Sequence, residues 1–145
     1  MAKTKDYYLE RDKKNLNRIY ALLEELPPFA EDYFRGIEQR TSVETRLKYA
    51  YGLRIFFGFL VKTRYRRKDV LDLTLDDLGA VTETDIEIFL SRLSLYTFNG
   101  KDLRCNERAK ARKLSAVRAM FKYFFNRGMI EVNNAAKVET PKLHE

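Results

Sequence analysis

The sequence predicts an all-α protein, a single bundle of four or five helices around one core. Of its 145 residues, 45% are hydrophobic, and these recur at three- and four-residue spacings over several long segments. A helix-capping signature precedes two of those segments. Six Gly and three Pro are too few for a turn-rich β-sandwich. The chain length corresponds to about one domain.

The N-terminal part of the chain predicts one long helix and one short one. Apolar residues recur at helical intervals over residues 5–26, and Pro27 and Pro28 end that helix. Residues 29–37 form a short amphipathic segment, with apolar side chains at three- and four-residue spacings.

A start signal marks the next long helix. Thr41, followed three residues later by Glu44, predicts a capping box, in which each side chain satisfies a backbone amide of the other's turn. The helix is predicted over residues 42–62. Its apolar face is expected to consist of Val43, Tyr49, Ala50, Leu53, Phe56, Phe57 and Leu60.

Shorter elements follow. Residues 73–78 predict a short turn. Thr82 with Asp85 repeats the capping signature and predicts a helix that ends near Leu95. The dipeptide at residues 99–100, Asn-Gly, predicts a loop.

The last long helix is predicted over residues 106–127, with Gly128 as the left-handed residue after its end. Lys110 falls on the apolar side, and we expect it to extend outward from a frayed first turn. From residue 133 the chain is polar, and Pro141 interrupts regular structure. The core side of the helix is expected to consist of Leu114, Val117, Phe121, Phe124 and Phe125.

The net charge is concentrated in one segment. The chain has 28 basic and 21 acidic residues, which gives a formal charge of +7. Residues 101–127 hold nine basic and two acidic side chains, so the whole excess lies there. One basic pole on an otherwise balanced chain is typical of a protein that binds a polyanion.

The solvent side of the last helix carries Arg108 and Arg112 beside three small residues, Ser115, Ala116 and Ala119. A merely solvated face usually holds long side chains throughout. Arginine can bond phosphate or the guanine edge at two points, and short side chains let the backbone approach a groove wall. The pattern favours a helix in the major groove of duplex DNA.

The helix over residues 42–62 offers a second basic surface. Thr45 and Lys48 lie on its non-core side near the N-terminus, where the helix dipole favours phosphate. Arg46 lies toward the core side, where it either reaches a phosphate or covers the core edge. The candidate DNA-binding residues are therefore Thr45, Arg46, Lys48, Arg108, Arg112, Lys113 and Ser115.

The sequence offers no catalytic, cofactor-binding or metal-binding set. It has no P-loop, no dinucleotide fingerprint and no Cys/His cluster with metal spacing. Its one histidine, His144, is the penultimate residue, and its one cysteine, Cys105, has no base nearby. We expect no small-molecule substrate.

The same composition bears on location. A single cysteine cannot form an internal disulfide, so nothing indicates an oxidising compartment. No apolar run approaches the roughly eighteen residues of a membrane span, and the N-terminus lacks an apolar signal core. We expect a cytoplasmic protein that does not enter a membrane.

Four segments together resemble a known family. The run TSVETRLKYAYGLRIFFGFL at residues 41–60 resembles the first core helix of the core-binding domain of tyrosine recombinases, or phage-type integrases. The run ARKLSAVRAMFKYFF at residues 111–125 resembles that domain's last long helix. Residues 71–78 resemble the link between the two, and residues 133–142 resemble the exit toward the catalytic domain.

The resemblance implies an orthogonal, SAM-like helical bundle that forms half of a clamp around double-stranded DNA. It divides the chain into an N-terminal helical arm at residues 1–40, a core-binding domain at 41–132 and a linker at 133–145. It implies a catalytic domain that is absent from these residues, and contacts between protomers through the N-terminal helix. The positions that it places in the major groove are Thr45, Lys48, Arg108, Arg112 and Ser115.

Two other functions remain open from the sequence. The chain could be a protein–protein adaptor that docks a partner through its N-terminal helix or its acidic stretch at residues 69–87. A helical RNA-binding module is also conceivable, although no aromatic stacking platform is evident.

Overall fold

Helices make up most of the chain, as the computed structural model of this protein shows for residues 5–142. That part contains six α-helices, three short 3₁₀ segments and one two-stranded sheet, which confirms the all-α prediction. None of its helices has the length and apolar character to cross a membrane. The α-helices are α1 (Lys5–Leu23), α2 (Phe29–Gly36), α3 (Val43–Thr63), α4 (Leu75–Gly79), α5 (Glu83–Arg92) and α6 (Glu107–Asn126).

The capping box predicted at Thr41 and Glu44 is wrong by one residue. Ser42 is the N-cap of α3, and its Oγ accepts a hydrogen bond from the Thr45 amide at 3.1 Å. The Thr41 hydroxyl instead donates to the Ile37 carbonyl at 2.6 Å. Two adjacent hydroxyl residues could each cap this helix, and the Thr41 hydroxyl is already bonded to the segment that precedes it.

The other helix ends follow local rules. The predicted capping box of Thr82 and Asp85 opens α5, which ends at Arg92 rather than near Leu95. Thr74 and Asp77 form the same box, so the segment predicted as a turn contains the short helix α4. Gly128 has a φ of 70°, as expected for the residue after α6.

The loop predicted at Asn99-Gly100 is the turn of a β-hairpin. Strands β1 (Tyr96–Phe98) and β2 (Lys101–Leu103) pair antiparallel, with Thr97 opposite Asp102. Asn99 and Gly100 have φ values of 51° and 76°, which suit the two-residue turn that joins twisted strands. Strands of three residues are too short to show an alternating pattern, so only the dipeptide signals the hairpin.

One core joins all parts of the described chain. Its buried side chains include Leu22 in the last turn of α1, Phe56 on α3, Phe89 on α5 and Phe121 on α6. Residues on both sides of position 40 contribute to this core. So does Val138, which lies in the segment expected to be a linker.

Helix α1 runs parallel to α3 and covers one of its edges. The residue numbers of the contacting pairs increase together along α1 and α3, so the two helices are parallel. The contacts are Arg11 with Glu44, Arg18 with Tyr51, and Glu25, just beyond α1, with Arg54, at 2.9, 2.9 and 3.2 Å.

Helix α6 crosses the other edge of α3 in the opposite direction. A Cβ placed on Gly52 would lie 3.5 Å from the Ala116 Cβ and 3.9 Å from the Lys113 Cα, so the helices approach closely there. Tyr49, three residues earlier on α3, shares a cavity wall with Ala119 and Lys122, which lie later on α6. The sequence order therefore reverses between the two helices, and they are antiparallel.

Two placements predicted on α6 are wrong. Ala116 is 1% exposed instead of lying on the open side, because it packs against Gly52 of α3. Phe125 is 43% exposed instead of lying in the core, because the buried arc of α6 ends before it.

Candidate nucleic-acid interface

The solvent side of the α3–α6 crossing brings basic side chains from both helices together. On α3, Lys48 is exposed, and its position around the helix axis is between those of Tyr51 and Gly52. It lies about 60° from Tyr51, which contacts α1, and about 40° from Gly52, which approaches α6. On α6, Arg112 is exposed and lies about 40° from Ala116. Lys48 and Arg112 therefore flank the crossing on its open side.

The other predicted positions spread outward from this crossing. Exposed Ser115 precedes Ala116, and Arg108 lies on the exposed side of the first turn of α6. Thr45 lies two turns before Gly52 on α3. Because the helices are antiparallel, Thr45 and Arg108 lie in opposite directions from the crossing, each about 10–12 Å along its helix.

The cations at this surface have no acidic partner among the described residues. Within residues 5–142, no carboxylate lies within ion-pair distance of Lys48, Arg108, Arg112 or Lys113. Two of the cations that follow α3 differ, since Arg64 pairs with Asp85 at 3.0 Å and Lys68 pairs with Asp77 at 2.6 Å. We call the group Thr45, Lys48, Arg108, Arg112, Lys113 and Ser115 the basic surface.

Three members of the basic surface also make internal contacts. The Lys113 Cγ would lie 3.9 Å from a Cβ placed on Gly52, so the Lys113 stem runs beside α3 and the residue is half-buried. The Thr45 hydroxyl accepts a hydrogen bond from the Ser42 hydroxyl at 3.0 Å. The Ser115 hydroxyl donates to the Ala111 carbonyl at 3.0 Å. Each hydroxyl oxygen keeps further hydrogen-bonding capacity, because a hydroxyl has two lone pairs and one proton.

Arg46 is the predicted site residue that the structure does not place on this surface. It is 8% exposed, and its Nη1 donates to the Glu38 carbonyl at 3.1 Å and the Thr41 carbonyl at 2.8 Å. The Thr41 hydroxyl oxygen is also within 3.2 Å of Nη1. Of the two roles open to Arg46 from the sequence, the structure therefore supports the one at the edge of the core.

Lys110 does not extend outward as expected. It is 9% exposed, its Nζ donates to the Ser94 hydroxyl at 2.7 Å, and Glu107 lies 3.4 Å away. A buried ammonium is costly without such partners. Lys110 therefore ties the first turn of α6 to the segment after α5.

Two of the small residues of α6 face the protein interior, although all three were expected to face a groove of DNA. Ala116 lies against α3, and Ala119 is half-buried beside the core. Their short side chains allow the two helices to approach each other. Of the three small residues, Ser115 remains exposed on the open side.

Arg118 lies on a different face of α6, and its guanidinium already has hydrogen-bond partners. Its Nη1 donates to the Thr140 hydroxyl at 2.6 Å, and its Nη2 donates to the Val138 carbonyl. It therefore holds the C-terminal segment against the helix.

Sequence reasoning missed two cations close to the basic surface. Lys122 and Arg40 line a cavity of about 310 Å³ between α2, α3 and α6. Lys122 follows Arg108 and Ser115 at a seven-residue spacing, which places all three on one face of α6. That spacing is visible in the sequence. The place of Arg40 is not, because it depends on how the segment before α3 packs.

The basic surface and the helical bundle occur in a chain that is similar to a tyrosine recombinase over most of its length, as the resemblance of its helices predicted. The relative that shows this is tyrosine recombinase XerC of Caldanaerobacter subterraneus subsp. tengcongensis, which is 31% identical over 140 residues. The match covers 90% of this chain and 38% of that protein, so the chain spans well under half the length of the relative that it matches. No family model matches the chain, and no solved structure matches it significantly.

Proposed function

We propose that this chain binds double-stranded DNA as the core-binding domain of a site-specific tyrosine recombinase, with roles in DNA recombination and integration. The basic surface would lie against one face of the recombination site. The catalytic residues would come from another part of the parent protein, and the residues described here would bind and position the duplex. The similarity to a tyrosine recombinase supports this assignment.

The observation that carries the proposal is the set of unpaired cations around the α3–α6 crossing. Lys48, Arg108 and Arg112 are exposed and Lys113 is half-buried on two mutually packed helices, and no carboxylate of residues 5–142 lies within ion-pair distance of them. Duplex DNA carries closely spaced phosphates that such a set can neutralise, with release of bound counterions.

The position of each residue suggests its role. Arg112, beside the crossing and exposed, would read a base edge in the major groove, because its fork can bond guanine at two points. Lys48, Lys113 and Arg108 would bind phosphates on either side, which fixes the register without reading sequence. Thr45 and Ser115 would add hydroxyl contacts.

Helix α1 is proposed to contact a second protomer on DNA. Tyr8, Leu9 and Tyr20 project from it with exposed fractions of 44%, 66% and 58%. Leu9 and Tyr20 are eleven residues apart, which places them on one face of α1, and apolar surface on one exposed face is what a docking site requires. Loss of assembly on DNA in a Leu9→Glu variant that still binds as a monomer would support this role.

The adaptor alternative depends partly on the acidic stretch at residues 69–87. Several of its carboxylates already have partners within the described chain. Asp77 pairs with Lys68, Asp85 pairs with Arg64, and Asp72 caps a 3₁₀ segment. This leaves less free acidic surface for a partner. The DNA-binding proposal is therefore the better supported of the two.

Duplex titration at several salt concentrations tests the proposed function. Each phosphate neutralised adds about −0.9 to the slope of log affinity against log salt, so we expect a slope of about −3 or steeper. Arg112→Ala should weaken binding by about 1–3 kcal/mol if the residue reads a base.

Arg118→Ala is the comparison variant, because its guanidinium already bonds Thr140 and Val138. We expect it to change duplex affinity less than Arg112→Ala. Binding that does not depend on salt would exclude the proposed interface. Equal losses from the two variants would indicate diffuse electrostatic attraction instead of a defined surface.

A further inference from the structure

A polar cavity lies at one end of the exposed stripe of α6. It has a volume of about 310 Å³, and its walls include Tyr33 of α2, Tyr49 of α3, Lys122 and Asn126 of α6, and Arg40 with Thr41 from the segment before α3. Among the described residues that line it, two are cations and none is a carboxylate. The cavity therefore attracts negative charge.

The Tyr33 hydroxyl at this cavity has no hydrogen-bond partner among the described residues. The Tyr33 residue is 0% exposed, so its hydroxyl does not face bulk solvent while the Arg40 side chain lies at the rim. A buried hydroxyl without a partner costs free energy, and such groups are uncommon in native proteins. Burial raises the pKa of Tyr33, which keeps the hydroxyl protonated and able to donate.

We infer that this cavity binds a tetrahedral oxyanion of the phosphate type, held by Arg40 and Lys122 at the rim with the Tyr33 hydroxyl donating from the floor. Arg40 is exposed, so its side chain can move aside to admit the anion. If the proposed function holds, the oxyanion is a backbone phosphate of the bound duplex.

The position of the cavity fits that source. Lys122 lies on the same face of α6 as Arg108 and Ser115, so a duplex along that face passes over the cavity mouth. Helix α6 ends at Asn126, and the dipole of a helix C-terminus disfavours an anion. The two cations together must outweigh this effect for the cavity to hold an anion.

Titration of the full chain with inorganic phosphate, followed by NMR, tests the cavity without DNA. We expect saturable shifts of the Arg40 guanidinium and the Thr41 amide, which chloride at equal ionic strength does not produce. Arg40→Gln and Lys122→Gln should each weaken phosphate binding about tenfold or more, because hydrogen bonds to charged groups are strong. The matched control is Lys101→Gln, an exposed cation of β2 that is not among the cavity-lining residues.

Tyr33→Phe separates a ligand role from a structural one. In the free protein the change removes an unpaired polar atom, so stability should stay the same or rise. Phosphate affinity should nevertheless fall about tenfold, because the anion loses a donor. Unchanged affinity in Tyr33→Phe, or shifts that do not saturate, would overturn the inference.

Duplex binding tests whether the oxyanion is a DNA phosphate. If Arg40 and Lys122 hold one phosphate, each Gln variant should reduce the salt slope by about 0.9, and the double variant by no more than that. A double reduction of about 1.8 would mean two separate phosphates and would contradict a shared site. If the unmodified chain bound no duplex, the proposed function would be wrong. The phosphate titration would still show whether the cavity binds an oxyanion.

Discussion

Arg46 and Lys48 are two residues apart on α3, yet their side chains have different surroundings. The Arg46 guanidinium turns back onto the Glu38 and Thr41 carbonyls, whereas Lys48 is exposed beside α6. Arginine suits the first position because it can bond several carbonyl oxygens while its stem packs on the core edge. A basic residue near a helix N-terminus therefore need not face solvent.

Arg46→Met tests this role by keeping the apolar stem and removing the guanidinium. We expect the free energy of unfolding to fall by about 1–3 kcal/mol, because the two carbonyls lose a charged donor. Urea denaturation measures the change. Lys48→Met, at an exposed position, should stay within about 0.5 kcal/mol of the parent. Equal stabilities for the two variants would contradict a structural role for Arg46.

At the scale of elements, hydrogen bonds from capping side chains fix where the short helices begin. In α4 the Asp77 carboxylate accepts from the Thr74 amide at 3.0 Å and pairs with Lys68 at 2.6 Å. Burial acts to raise the pKa of Asp77, but the hydrogen bonds from Lys68 and Thr74 outweigh it and hold the pKa below its ordinary value of 3.8. This one carboxylate connects α4 to the loop that follows α3.

The depressed pKa of Asp77 predicts an acid dependence of stability. A carboxyl whose pKa is lower when folded stabilises the protein above its ordinary pKa, and that contribution is lost as the pH falls through the folded value. Asp77→Asn should therefore lower stability at pH 7 and reduce its loss between about pH 5 and about pH 2.

Urea denaturation at a series of pH values measures this effect. Asp76→Asn, at the exposed neighbouring position, is the control and should leave the profile close to that of the parent. An unchanged profile in Asp77→Asn would mean that the contact with Lys68 does not contribute to folding.

At the scale of the whole molecule, the N-terminal helix shares the core of the rest of the described chain. Leu22 on α1 is 3% exposed and belongs to the same buried cluster as Phe57 and Phe124. Helix α1 also covers an edge of α3 that would otherwise face water. A free arm would leave both of these surfaces exposed, so we expect the described chain to unfold as one unit.

Leu22→Ala tests this integration. We expect a loss of about 2–5 kcal/mol, the usual cost of truncating a buried leucine, in a single denaturation transition. Leu9→Ala is the matched control on the same helix, since Leu9 is 66% exposed. Two separate transitions, or equal effects from the two variants, would show that α1 folds independently of the remainder.

Much of the fold could be predicted because the signals are local. The apolar periodicity places α3, α5 and α6, and the Thr82 capping box and Gly128 mark two ends within a residue or two. The hairpin and α4 escaped prediction because each is too short for a period to be read. Their local signals, the Asn99-Gly100 dipeptide and the capping pair Thr74 and Asp77, do not by themselves identify a strand pair or a helix.

The candidate site was predicted less completely. Lys48, Arg108 and Arg112 are exposed as expected, since their neighbours in sequence place them opposite apolar stripes. Ala116 and Lys110 are buried, although both were expected to face solvent. Helix α3 covers Ala116, and the segment after α5 covers Lys110.

The sequence by itself determined which segments become helices, which of their faces are apolar, and that the excess positive charge lies between residues 101 and 127. These properties depend on residues a few positions apart. The tertiary structure alone decided which cations are unpaired and that Arg40, Lys122 and Tyr33 meet at one cavity. Burial and pairing depend on residues far apart in the chain, and only the packing of the helices brings those together.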